Sequence, residues 1–314
     1  MYKKIFLGVF FWCLAFPLVA QISLSDSSVQ TVAYWKKGET YSFSVSLDEF
    51  KVVEKDTSER TTTRYTVDIF VLDSTENTYD VRWSYRDMST DWGERDSLFL
   101  SIMDRISALK GGEIVEFRTD EYGSFIEMTN WEQIRDYYQI VSDSVSSEFS
   151  AFPEVAQLMK SMFGIYNNRN AIEKGVIKDV HQFLNFHGGA YRLNEPIKGK
   201  MQYPSVISDR LLDAEMLIEL DKIYPEDNDY GIYSFVEVDR EQLTNETREV
   251  LVKLLPQSQK EDIQKLMEQV GEVWDTTENF SIIHGSGWPT YSKETRQTGS
   301  NQNVKFEIRT IEMI

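Results

Sequence analysis

Few residues in this chain are placed to do chemistry, and they fall in three short runs. The first is His284-Gly285-Ser286-Gly287. An imidazole beside glycines that bare their backbone N–H groups has the parts of an acid–base group next to an oxyanion hole. The same four residues also make an ordinary turn between strands, where glycine supplies the permissive backbone. The second run, Asp227-x-Asp229-x-Gly231, sets carboxylates on a tight turn as a calcium loop does, but no glutamate closes it at the twelfth position. The third is the pair His181 and His187. Six residues apart on one straight helix, they would point about 240° apart and could not share a metal. The chain has no Gly-x-Ser-x-Gly elbow, no His-Glu-x-x-His, no phosphate loop and no dinucleotide fingerprint. No metal and no cofactor are expected. A pair of carboxylates working as in a glycosidase would be invisible here, because spacing along a chain does not report a gap across a cleft.

Aromatic residues offer a different kind of site. Trp288 stands between Gly287 and Pro289, so a restricted backbone holds its ring on a predicted turn, where it would serve as a platform for a sugar or lipid or would cover a sheet edge. Trp83 and Phe43 occupy inward positions of predicted strands and would line a cavity if one exists, or fill a core if none does. Trp288, His284, Trp83 and Phe43 are therefore the candidate ligand-binding residues, and no catalytic residue is assigned.

The chain is strongly acidic, with 33 Lys and Arg against 51 Asp and Glu over 314 residues. That balance disfavours nucleic acid, whose phosphates need a basic surface. Met1-Tyr2-Lys3-Lys4, an apolar run from Ile5 to Ala20, and Leu18-Val19-Ala20 before Gln21 have the order of a cleaved export signal over residues 1–20. The run is short for a membrane anchor and contains Pro17. Cleavage would remove Lys3, Lys4 and Cys13, the only cysteine, moving the net charge two units beyond the −18 of the full chain. A mature chain without a thiol has no disulfide, cysteine nucleophile or thiolate metal site. No later segment is long and apolar enough to span a bilayer, so no stable membrane span is expected after cleavage.

The elements that must position these residues are mostly strands. Tyr41, Phe43, Val45 and Leu47 alternate with polar residues, as do Tyr65 to Val71 and Tyr79 to Tyr85, and period two means one buried face. Leu98, Ile102, Ile106 and Leu109 then mark a helix ended by Gly111-Gly112. Strands at 114–118 and 125–128 lead into a helix capped by Thr129 or Asn130, a second from Pro153, and a third over 170–186. The second half shows strands at 212–220 and 230–238, helices over 244–255 and 258–270 interrupted at Pro256, and strands at 275–284, 289–297 and 304–313. Both halves read strands, helix, strands, and each has a glycine–serine turn, Gly123-Ser124 and Gly285-Ser286.

The run Gly123-Ser124-Phe125-Ile126-Glu127-Met128-Thr129-Asn130-Trp131-Glu132 resembles exported bacterial proteins of unknown function in which a glycine hairpin leads through a strand into an Asn-Trp-Glu helix start. That resemblance implies no activity. Long amphipathic antiparallel strands with helices on one face are also similar, in architecture alone, to the periplasmic half-barrel lipoprotein carriers. The expected fold is α+β, with curved antiparallel β-sheets in two pseudo-repeated halves, the β-meander and helical block of residues 21–190 and the β-α-β half of 191–314, and the helices from Thr129 to Phe186 packed on the concave face. The expected function is a non-enzymatic exported, periplasmic or extracellular binding protein for a lipid, another amphiphile or an envelope protein. The alternative is a secreted hydrolase that uses carboxylates or the His284 turn.

Overall fold

The structure, a computed structural model, describes residues 21–53, 55–108, 112–205, 210–254, 271–300 and 303–314. The expected export signal, Leu109 and Gly111 at the end of the first helix, and the helix expected over 258–270 with Pro256 before it lie outside the described residues. The chain opens with β1 (Ile22–Ser23) and β2 (Ser28–Gln30), then builds a long meander: β3 (Thr40–Val53), β4 (Asp56–Ser74), β5 (Thr78–Asp91), α1 (Ser97–Ala108), β6 (Ile114–Asp120) and β7 (Phe125–Met128). A helical stretch follows: α2 (Trp131–Glu148), α3 (Pro153–Gly164), α4 (Arg169–Gly175) and α5 (Lys178–Leu184). The rest is β8 (Ala190–Arg192), β9 (Ile197–Pro204), β10 (Leu211–Tyr224), β11 (Asp229–Val238), α6 (Arg240–Leu254), β12 (Trp274–His284), β13 (Pro289–Gly299) and β14 (Asn303–Met313).

Eleven of these strands form one antiparallel sheet in the order β7-β6-β5-β4-β3-β14-β13-β12-β11-β10-β9, which does not close. The first and last long strands, β3 and β14, meet in its middle, from Phe43 opposite Met313 to Val53 opposite Asn303. β1, β2 and β8 make a small separate sheet.

One face of the large sheet is covered. Phe43, Val67, Ile69, Val81, Trp83, Val115 and Phe117 point into it and meet Ile134 of α2, Ile172 of α4 and Val180, Phe183 and Leu184 of α5 in one apolar cluster. Phe183 sets its ring edge-on to both Phe43 and Trp83, at 5.1 and 5.3 Å between centroids, a geometry that aromatic quadrupoles favour. The helix expected over 170–186 is broken here into α4 and α5. In a straight helix Ile172 and Ile177 would point about 140° apart. The break lets both reach the core, where both are fully buried.

One further departure from the sequence reading has a local cause. Asn130 does stand at the N-cap of α2, but its side chain makes no cap bond. Its Oδ1 instead accepts the Glu116 N–H at 2.8 Å and its Nδ2 donates to the Ile114 carbonyl at 3.0 Å, tying the helix start to β6. At the β7 edge, Arg169 Nη2 donates to the Met128 carbonyl at 2.9 Å and Glu173 Oε1 accepts the Met128 N–H at 2.7 Å. These two α4 side chains stand where the next strand would be, which blunts an edge that would otherwise offer free backbone groups.

Candidate ligand-binding groove

The four residues singled out by the sequence fall into two places. Phe43 and Trp83 are fully buried beneath Phe183, so they line no cavity, and the expectation of a lined chamber there gives way to a packed core. Trp288 belongs to the same core. It is 2% exposed, stacks on Trp35 at 4.6 Å, leans on Tyr41, and donates its indole N–H to Glu39 Oε2 at 3.3 Å. A ring held between two aromatics is a wedge in the structure, not an open platform.

His284 lies at the turn before Trp288. Its Nδ1 accepts the Ser286 N–H at 3.1 Å and lies 2.8 Å from Ser286 Oγ. The turn's other N–H groups are also engaged: Gly285 donates to the Asn228 carbonyl and Gly287 to that of His284. None is left to receive an oxyanion, and the turn reads as a structural joint. What it joins is the segment of residues 31–34. Ala33 donates to Tyr122, beside Gly123-Ser124, and Tyr34 donates to Ser286, so this strap links the two glycine–serine turns. Gly287 has φ +83, and a Cβ there would lie 2.3 Å from the Val32 carbonyl oxygen. Between the turns sits His187, buried, with Nε2 2.8 Å from the Gly287 carbonyl and its ring against Gly123 and Trp35. Burial lowers its pKa to about 4 against the opposing pull of that carbonyl, so the ring is neutral at pH 7. His181, the other histidine, points Nε2 at the Glu173 carbonyl at 2.9 Å.

A larger accessible concavity than any at these residues lies elsewhere, and the spacing of sequence motifs did not mark it. Between the sheet and the helices runs a groove of about 950 Å³, within the size range of small-molecule sites. Leu47, Thr63, Tyr65 and Tyr85 from β3 to β5 make its floor. Ile106 of α1 and Tyr137 and Tyr138 of α2 face them, Val176, Lys178 and Asp179 close one side, and Glu307 and Arg309 of β14 lie at the depth of the sheet. Met88 and Trp92 stand along it too.

Its polar end is built by the sheet register. One row of the covered face crosses from β4 to β10 as Tyr65, Val45, Ile311, Ser292, Ser281, Ile232 and Leu220. The next row reads Thr63, Leu47, Arg309, Glu294, Asn279, Ser234 and Ile218. Apolar residues therefore give way to charged ones over the central strands. The hydrogen bonds there form two sets, one on Asp179 and one on Gln182 and Arg309. Asp179 accepts from Tyr65 and Tyr85 hydroxyls, both at 3.0 Å, and from the Val180 N–H at 3.0 Å. Gln182 donates to Ser292 Oγ at 3.0 Å, and Arg309 Nη1 reaches Gln182 Oε1 at 3.4 Å and Glu294 Oε1 at 3.3 Å. Burial, then the Asp179 charge, push both tyrosine hydroxyls well above their ordinary pKa, so they remain donors. Burial also raises the Glu294 carboxyl, against the pull of Arg309 and Arg296. Lys305 bonds Glu307 at 2.6 Å and Glu49 at 3.1 Å, and Arg296 is bidentate on buried Asp275. Such an arrangement offers an aromatic trough with a charged, hydrogen-bonding end.

One signal could have pointed to it. β13 lies between two neighbours in the middle of the sheet, yet from Ser292 to Gly299 it carries no apolar residue on either face. A central strand that is polar on both sides covers something other than an oily core.

No family model and no curated protein matches the chain. Among solved structures it is similar to one described as showing lipid–protein interactions in lipovitellin, with a TM-score of 0.41 and 10% identity over 89% of this chain and 25% of that one. It is also similar to a porin-like protein from Bacteroides uniformis, with a TM-score of 0.18 and 9% identity over 86% of this chain and 95% of that one. The chain spans about a quarter of the lipovitellin chain. Among the described residues no helix is long and apolar enough to cross a membrane.

Proposed function

We propose that this is an exported, non-enzymatic binding protein that holds an amphiphile in the groove between β3–β5, β14 and the helices α1, α2 and α5. The observation that carries this reading is the groove's division into a trough of tyrosines and a charged end, because an amphiphile satisfies both at once. An apolar chain laid on Tyr65, Tyr85, Tyr137 and Tyr138 gives up its contact with water. Ordered groups at the far end meet its head. Export is part of the proposal and rests on the charged start, apolar run and small residue before Gln21.

The two halves, 21–190 and 191–314, are proposed as repeats of one plan. In support, each meander takes one helix between its third and fourth long strands, α1 between β5 and β6 and α6 between β11 and β12.

The test is native mass spectrometry on protein purified from its own host, beside Thr63→Trp, which fills the groove floor without touching the core. Bound mass that extracts as an amphiphile, and that Thr63→Trp loses while keeping its melting temperature within a few degrees, is the expected result. Clean wild-type protein that also takes up no added dodecanoate, dodecanol or dodecylamine would overturn the reading.

A further inference from the structure

The charged end of the groove contains a cation with unused capacity. Arg309 is buried and lines the groove, but its bonds to Glu294 and Gln182 both leave from Nη1, at 3.3 and 3.4 Å. Its Nε and Nη2 donors meet no acceptor among the described residues, and they are not among the buried polar atoms left sealed without a partner. A guanidinium has five N–H donors in a planar fork, so part of that fork remains open toward the groove. Lys178 lines the same groove and reaches Glu307 only at 4.0 Å.

The carboxylates of the groove are in the opposite condition. Asp179 is taken by Tyr65, Tyr85 and Val180, Glu307 and Glu49 share Lys305, and Asp87 is held by Arg86 at 2.6 Å. The groove's carboxylates are held inside the protein, whereas Arg309, although it pairs with Glu294 and faces Asp179 and Glu307, keeps N–H donors in hand. A cationic head would have to compete for occupied carboxylates. An anionic head would instead take the open donors of the guanidinium.

We propose, resting on the groove reading above, that Arg309 receives the anionic head group of the ligand, a carboxylate or a phosphate, with Lys178 as the second positive contact. Carboxylate and phosphate oxygens match the planar fork and accept charge-assisted hydrogen bonds from it. The chain of the same molecule runs back over Tyr65 and Tyr85 toward Tyr138.

Calorimetric titration of the full protein with four ligands of one chain length tests this: dodecanoate, dodecyl phosphate, dodecanol and dodecylamine, with inorganic phosphate as competitor. The expected result is that dodecanoate and dodecyl phosphate bind at least tenfold more tightly than dodecanol, with dodecylamine weakest. Displacement by millimolar inorganic phosphate would assign the site to the anion itself, whereas no displacement would assign it to the anion-bearing amphiphile. The double variant Arg309→Gln/Glu294→Gln removes both charges while keeping amides in their places, and it should erase the preference for the anions over dodecanol. Equal affinity for dodecanoate and dodecanol, or tighter binding of dodecylamine, overturns the head-group assignment alone. Failure of all four to bind overturns the groove reading itself. The wild-type ranking is decisive without the variant, so a double variant that does not fold leaves the test intact.

Discussion

Trp83 and Phe43 lie under Phe183 with no solvent contact, so placing a carboxylate at either position buries a charge with no partner. Trp83→Asp and Phe43→Asp are expected to fail to fold, at a cost of several kcal/mol, and loss of a ligand in them would say nothing about a site. Circular dichroism of the purified variants checks this. His187 makes a second prediction, on pH. Its folded pKa of about 4 lies below the ordinary value of 6.5. As pH falls below 6.5 the unfolded chain takes up a proton that the folded ring refuses, and stability is lost until the folded ring titrates near 4. The full effect is about 3 kcal/mol, with about 2 of it spent by pH 5. Urea unfolding at pH 7 and pH 4.5 should show His187→Gln losing less stability than wild type by about that amount. Equal losses would contradict the buried neutral ring.

At the scale of elements, the glycine turns and the sheet edge carry the sharpest tests. Gly287→Ala meets both a positive φ and the Val32 carbonyl, whereas Gly38 has φ +88 with nothing within 4 Å of its missing Cβ. Gly38→Ala should cost about 1 kcal/mol for the backbone alone. Gly287→Ala should cost clearly more, because the strap of residues 31–34 has to move, and thermal melts of the pair separate strain from collision. Removing the edge cap with Glu173→Ala leaves the Met128 N–H without its acceptor. About 1–3 kcal/mol should be lost, with faster hydrogen exchange at Met128 than at Val67. The strands of the sheet were readable from period two wherever one face is apolar, as in β3, β4 and β5. β9 was missed because Lys198, Gly199 and Lys200 interrupt its alternation. The start of α6 was read late, since Asp239, which caps it by accepting the Gln242 N–H at 2.8 Å, stands directly after a strand.

Across the whole molecule, pairing of β3 with β14 turns two meanders into one open sheet. That junction brings Leu47 beside Arg309 and Glu49 beside Glu307, so residues some 260 positions apart share the groove. No local pattern reports such a meeting, which is why the sequence drew attention to Trp288 and His284, whose neighbours are close in the chain, and passed over Asp179 and Arg309. The groove also explains why polar residues persist on the covered face of central strands. If this groove receives the ligand's chain, photolabelling with a fatty acid carrying a diazirine midway along its chain, followed by peptide mapping, places labels on Tyr137 and Tyr138 of α2 and on the Tyr85–Trp92 segment, suppressed by excess dodecanoate and by Thr63→Trp. Labels concentrated on β9 to β12, or a pattern unchanged by Thr63→Trp, would contradict it.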